Sequence, residues 1–242
     1  MPAKHAKGTK KSLIHVLLMV SSGEIFSLSQ VLFLVFSVYS VGKYSFFEIF
    51  MAKILAFAGS LREHAYSRRI LKQAVEGAKN AGAEVTVIDL RDFPLPVFNA
   101  DDYDRAYDSD ALRLQDIFAG HDGFLLSSPE YNGSMPGGMK NMIDWVSRPS
   151  EKYPKPVQVF KGKTAAIMAS SPGSFGGIRC LSHIRGMFSI MHVTVLPVEI
   201  AVSFVAAKFE GDSDTMTDEK MKKVLEDLGA SLAETIKRNS AG

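Results

Sequence analysis

From Met51 onward the chain alternates short, mostly apolar runs with segments of helical period, and this alternation restricts its fold more than any other feature. KILAFAGS at 53–60 reads as a strand buried on both faces, with Gly59 and Ser60 marking its end. A helix is predicted from about Ser67 to Ala81, with Ile70, Leu71, Ala74, Val75 and Ala78 on one face. AEVTVIDL at 83–90, DGFLLSS at 122–128, KTAAIMASS at 163–171 and VTVLPVEI at 193–200 supply four more strands. Between and after them, helices are predicted near Asp108–Ala119, through MKNMIDWVS, up to about Ile190, and over about Thr217–Lys237. RDFPLPVFNADDYD at 91–104, with two prolines, reads as an irregular loop. Five strands spaced by helices demand right-handed crossovers, hence a parallel, doubly wound α/β sheet with helices on both faces. Ligands of such sheets bind outside the carboxyl ends of the strands. The loops after strands one, three and four are therefore the ones to search.

Composition narrows the chemistry. Cys180 is the single cysteine among 242 residues, so no intrachain disulfide and no cysteine-ligated cluster can form. Charge is unevenly divided. Residues 1–50 hold five lysines and two glutamates, leaving 23 basic and 24 acidic groups on the 192 residues that follow. That near-neutral body has no arginine-rich stripe and gives no reason to expect a nucleic-acid partner. The first fifty residues include the apolar run LIHVLLMV and then 18 residues, Ile25 to Gly42, without a charge. Three readings of them stand: a membrane anchor, a targeting segment, or an upstream extension or misassigned start, since Met51 directly precedes the first strand. On each reading the working domain is 51–242, and a membrane association depends on the first being right.

The first loop, GSLREHAYSRRI, opens a helix, and its amide groups with Ser60, Ser67 and Arg62 could cradle a phosphate; a tight turn with capping serines is the alternative. No G-x-G-x-x-G is present, and KGKT at 161–164 lacks the glycine of a P-loop. The second loop, SSPEYNGSMPGGMKNMIDW, carries prolines at 129 and 136 and glycines at 133, 137 and 138. They leave peptide groups exposed, as a flat heteroaromatic edge would require. Tyr131 and Trp145 could stack on such a ring, although a tryptophan in an amphipathic helix more commonly fills a core. The third loop, SSPGSFGG, lets backbone approach a planar ligand closely and adds the hydroxyls of Ser170 and Ser171. No G-x-S-x-G elbow and no histidine pair at metal-ligand spacing occurs, and Cys180 reads as a packing residue.

Together these loops resemble the NADPH-dependent FMN reductase family, a flavodoxin-like group that includes quinone, azo-dye and chromate reductases. PEYNGSMPGGMKNMIDWVSRP at 129–149 is close to the family's P-E-Y-N-x-S-x-P-x-x-x-K-N-x-x-D-W pattern, and SSPGSFGGIRCLSHIR resembles its second flavin loop. The resemblance covers Met51 to the C-terminus. It implies a flavodoxin-like three-layer sandwich with a five-stranded parallel sheet in the order 2-1-3-4-5. It implies that Ser60, Arg62 and Ser67 hold the FMN phosphate, that Pro129, Glu130, Tyr131, Asn132 and Gly133 run along the isoalloxazine edge, and that Ser170, Gly173, Gly176 and Gly177 line the other side. It further implies a cytoplasmic oxidoreductase that takes hydride from NADPH or NADH onto bound FMN and passes electrons to a small-molecule acceptor such as a quinone. No side-chain acid or base is singled out as catalytic. A homodimer or homotetramer is expected, with the apolar MIDW and SFVAAKF segments as candidate interface. One departure matters: where the family commonly has S-x-N after the arginine, this chain has Ala65-Tyr66-Ser67, which implies weaker FMN retention. A flavodoxin-like electron carrier or a non-enzymatic FMN-binding regulator is the alternative, and the main body lacks the strong acidity of a carrier.

Overall fold

The computed structural model describes residues 51–103 and 109–240; the expectations about residues 1–50 lie outside this part of the chain. Strand β1 (Lys53–Ala58) leads through the first loop to helix α1 (Tyr66–Asn80), and β2 (Glu84–Ile88) follows. The proline-containing stretch is more ordered than expected. It begins with a 3-10 turn, Leu90–Asp92, in which the Asp89 side chain accepts from the Arg91 amide, and it includes the short helix α2 (Ala100–Tyr103). Helix α3 (Ser109–Ala119), β3 (Gly123–Pro129), α4 (Gly137–Val146), β4 (Thr164–Ser170) and α5 (Ile178–Ile190) come next. The chain closes with β5 (Thr194–Val195), β6 (Ile200–Val202), a 3-10 turn at Val205–Lys208 and the long helix α6 (Glu219–Ser240).

All strand pairs are parallel and the order is β2-β1-β3-β4-β5, as expected. The fifth strand is not one strand but two. Thr194–Val195 pairs with Thr164–Ala165, and Ile200–Val202 pairs with Met168–Ser170, so the sheet has six strands. Pro197 lies in the gap and has no N–H to continue the ladder. Arg185 of α5 fills part of the deficit: its guanidinium donates to the Leu196 carbonyl at 2.9 Å and to Glu199 Oε2 at 2.8 Å.

Alternating residues of the buried strands feed two cores, one on each face. Leu55, Phe57, Phe124, Leu126 and Ile167 pack against α3, α4 and α5, and Phe118, Phe124 and Phe160 meet there with ring centroids 5.1–5.7 Å apart. Ile54, Ala56, Leu125, Ala166 and Met168 pack against α1 and α6. The MIDW segment belongs to the first core: Met142, Ile143 and Trp145 are buried, so it is not an exposed interface. In SFVAAKF, Val205 and Phe209 are buried as well, and Phe204 alone of its large apolar side chains is well exposed.

Helices α1 and α6 touch through glycine. A Cβ on Gly77 would overlap the Glu226 carbonyl, and one on Gly229 would overlap the carbonyl of Ala74. In an open helix, Gly→Ala adds about 1 kcal/mol of stability. Here the overlap is with backbone that cannot rotate away, at a cost of about 1–3 kcal/mol or more. Gly77→Ala and Gly229→Ala should each lower the denaturation midpoint of the full chain; a raised midpoint in either variant would refute this packing.

Candidate functional site

The loops after β1, β3 and β4 emerge at the same end of the sheet because their strands are parallel neighbours. The first is held down at both ends: Gly59 N donates to Ser127 O at 2.8 Å, and Arg68 Nη2 donates to Ser60 O at 3.0 Å. Ser60 is buried, its Oγ accepts from Arg62 N at 3.2 Å, and the Tyr131 hydroxyl lies 3.5 Å away across the mouth. Ala65 precedes α1 and offers no side-chain cap; the Arg68 amide donates to the Ala65 carbonyl at 3.0 Å, and the amides of Tyr66 and Ser67 donate to no described atom. Ser67, 1% exposed, has a hydroxyl that meets no partner among the described residues. The Arg62 side chain is exposed beside them. Of the three residues expected at a phosphate, Ser60 and Arg62 are joined by the bond from the Arg62 amide, and Ser67 lies one residue into α1.

Four charged residues of this region escaped the sequence reading. Arg68 pairs with Asp89 at the end of β2 through both guanidinium nitrogens, and Arg91 adds two more bonds to the same carboxylate. Burial works against the charged form of Asp89, but the hydrogen bonds from Arg68 and Arg91 outweigh it and hold the group well below the usual carboxylate range. Arg69 stacks 4.1 Å from the Phe209 ring centroid and donates to the carbonyls of Gly211 and Ser213. The SRRI spacing was the available signal, since adjacent arginines at a helix start leave the chain in different directions. A cavity of about 570 Å³ opens along α1 and β2 beside this network, lined in part by His64, Ala65, Arg68 and Asp89.

In the second loop, Tyr131 and Ser134 exchange backbone bonds of 2.9 and 3.0 Å, and the two residues between them, Asn132 and Gly133, have φ of 52° and 76°. That is a two-residue hairpin turn with both central residues left-handed, the conformation Asn-Gly favours. The amides of Glu130, Asn132 and Gly133 donate to no described atom, which leaves them available to a ligand edge. The Glu130 side chain is committed elsewhere. Its Oε2 accepts from the amides of Arg179 and Cys180 at 3.1 and 3.2 Å, and its Oε1 accepts from Arg179 Nη1 at 3.0 Å. Gly177, at the N-cap of α5, has no side chain to cap with, and Glu130 does the capping from the neighbouring loop. The Glu130 side chain is thus committed to α5, and its backbone is the part left for a ligand edge.

In the third loop, Gly176 and Gly177 have φ of 61° and 95°, and a Cβ on them would lie 2.7 Å from Ser203 N and 2.6 Å from the Ala169 Cβ. Their lack of a side chain is required by close packing on β4 and β6. Ser170 is the last residue of β4 and is buried, so its hydroxyl does not line an open face. Gly173 stays in the exposed part of the loop, where its amide donates to Ser171 Oγ at 3.1 Å. Trp145 is buried and donates from Nε1 to the Pro96 carbonyl at 2.8 Å; Asn141 Nδ2 donates to the same oxygen. The K-N-x-x-D-W stretch thus clamps loop 93–99 onto α4, and Trp145 is not a stacking partner. Cys180 packs as expected, with Sγ 3.3 Å from Ser128 Oγ, and burial pushes its thiol up to about 11.

Residues 52–207 match the family model described as NADPH-dependent FMN reductase. A Pseudomonas aeruginosa protein named NAD(P)H-dependent FMN reductase is 32% identical over 179 residues, spanning 74% of this chain and 92% of its own length. A Solanum tuberosum NAD(P)H:quinone oxidoreductase is 36% identical over 179 residues, spanning 72% of this chain and 87% of its own. Among solved structures, a flavoenzyme NAD(P)H:acceptor oxidoreductase of Paracoccus denitrificans superposes with a TM-score of 0.66 at 27% identity, covering 78% of this chain and 98% of its own.

Two outcomes follow from the geometry. The folded-state pKa of Asp89 lies below its unfolded value of about 3.9, so its stabilisation is whole above that pH and is lost as the pH falls through the folded value. Asp89→Asn should lower Tm at neutral pH and flatten the loss of Tm between about pH 5 and pH 2; parallel curves for variant and wild type would contradict the network. Cys180 should react with a thiol reagent only once the chain unfolds, as a titration across the denaturation transition would show.

Proposed function

The chain belongs to the NADPH-dependent FMN reductase family, and on that footing we propose that it is an FMN-containing oxidoreductase that oxidises NAD(P)H and reduces a small acceptor, a quinone foremost. The observation that carries the reading is the uncapped start of α1, with the buried, unpartnered Ser67 hydroxyl, the Ser60 hydroxyl and the exposed Arg62 side chain on the same loop and helix start. A buried polar atom without a partner is costly, and an uncapped helix start favours an anion, so these residues fit a phosphate monoester. The donor-rich turn across the mouth fits a flat ring edge with acceptors.

Ser60, Arg62 and Ser67 would hold the FMN phosphate, and the backbone of Pro129–Gly133 would run along the isoalloxazine. FMN held there would supply the redox chemistry, hydride acceptance from NAD(P)H and electron transfer to the acceptor. The protein's part is position and electrostatics. The amides of Glu130, Asn132 and Gly133 are fixed before any ligand arrives, so they stabilise negative charge on the ring edge without reorganising. Tyr131, 44% exposed, has its hydroxyl 3.5 Å from Ser60 Oγ and so links the ring-edge turn to the first loop. Ala65, where the family commonly has a serine, supplies no hydroxyl, which leaves Arg62 and the helix start as the main phosphate anchors. With NAD(P)H as reductant, the reading places the enzyme in the cytoplasm. Exposed Ile190 and Val198 support assembly as a homodimer or homotetramer.

Among the described residues no helix is long and apolar enough to cross a membrane. The test uses the full chain loaded with FMN and mixed with NADPH under argon. The flavin band should bleach stoichiometrically and return when a quinone is added; a band that NADPH leaves untouched sinks the reading. Arg62→Ala should weaken FMN binding about tenfold or more, the worth of a charge-assisted hydrogen bond, as quenching of flavin fluorescence on binding would measure.

A further inference from the structure

At the mouth of the candidate site one cation is held in a fixed pose without being used up. Arg179 stands at the start of α5 with its guanidinium 4.5 Å from the centroid of the Phe175 ring. The Glu130 side chain, 10% exposed, takes one of its nitrogens at 3.0 Å and is itself tied to the α5 amides. The turn at Gly133 lies against the Arg179 stem, since a Cβ on that glycine would be 3.6 Å from Arg179 Cδ. Nε and Nη2 meet no described acceptor, and the side chain is 54% exposed, as is 61% of Phe175.

An exposed ion pair contributes little stability, and ordering a long arginine side chain costs entropy. A large aromatic left in solvent adds no stability either. The three together nonetheless make a guanidinium fork that is oriented by a carboxylate, backed by a ring and open on its remaining edge, which is the form that binds phosphate oxygens in pairs. It is separate from the phosphate loop. Arg62 follows β1 and Arg179 follows β4, and β3 lies between these strands, which themselves run about 10 Å apart.

We propose that Arg179, aimed by Glu130 and backed by Phe175, is the site that binds a phosphate of the pyridine dinucleotide as it docks. The proposal rests on the reading of the chain as an FMN reductase. The phosphate is either part of the pyrophosphate, present in both NADH and NADPH, or the 2′-phosphate, present in NADPH alone. The Phe175 ring offers its free face to a flat base or ribose beside that phosphate.

The FMN-loaded full chain is titrated with NADP⁺ and with NAD⁺, which donate no hydride, and binding is followed by calorimetry and by perturbation of the flavin spectrum. Arg179→Ala should weaken NADP⁺ about tenfold or more and flatten the salt dependence of its Kd. Arg179→Lys, which keeps the charge and loses the fork, should fall between the two. Weakening of both nucleotides assigns the pyrophosphate, and weakening of NADP⁺ alone assigns the 2′-phosphate; either supports the site. Circular dichroism and FMN affinity of each variant should match the wild type. An Arg179→Ala protein that retains FMN and binds both nucleotides as the wild type does would overturn the proposal. So would one that releases FMN, because Arg179 would then serve the flavin site. Failure of the wild-type chain to bind FMN would instead overturn the reading beneath it.

Discussion

The carboxylate of Glu130 ties the two halves of the candidate site together. The loop after β3 and the helix after β4 come from neighbouring strands, and no other side chain of either loop bridges them with as many bonds. Without that bridge the Asn132–Gly133 turn would be a short hairpin held by its own two backbone bonds, and α5 would begin at a glycine with nothing to accept from its first amides. A carboxylate that accepts three donors, one of them a guanidinium, loses little by being nearly buried. The same bond set orients Arg179, so the group that fixes the frame also shapes the rim. His183 extends the seam, with Nδ1 2.9 Å from Ser134 Oγ.

A frame of this kind needs a rigid base, and the two cores provide it. On one face the aromatic group around Phe118 and Phe124 joins α3, α4 and α5 to the strands; on the other, glycine contacts let α6 press directly onto α1. The second arrangement holds α1 from the side opposite its N-terminus loop, and Arg68 holds that loop from within. The loop after β1 can therefore remain uncapped and still be ordered. Its free amides and the unpartnered Ser67 hydroxyl are a cost that the cores and the Arg68–Asp89–Arg91 network offset.

Much of this was legible in one dimension. Parallel order follows from the alternation of apolar runs and helical segments, and the Asn-Gly pair between prolines announces an exposed, left-handed turn. Ser60, Arg62 and Ser67 lie within eight residues, so a single loop and helix start must bring them near each other. Other features were not legible, for physical reasons. Glu130 sits in the right loop but has its partners 49 and 50 residues away, a pairing no local pattern encodes. Gly176 and Gly177 are read as room for a ligand only until β4 and β6 are seen to occupy that room. Trp145 shows the opposite case, because its helical spacing already marked it as core and its indole N–H found the Pro96 carbonyl.

The sequence by itself determined the parallel, doubly wound layer architecture and singled out the three loops to search for a ligand, because these follow from periodicity, chain direction and turn chemistry, all of them local. Only the tertiary structure decided how the loops are joined: that Pro197 splits the last strand and Arg185 spans the gap, that α1 and α6 meet at glycine, and that Glu130 caps α5 and leaves Arg179 half free at the rim. Those are pairings between residues distant along the chain. They depend on the distance and direction of side chains after packing, which periodicity does not specify.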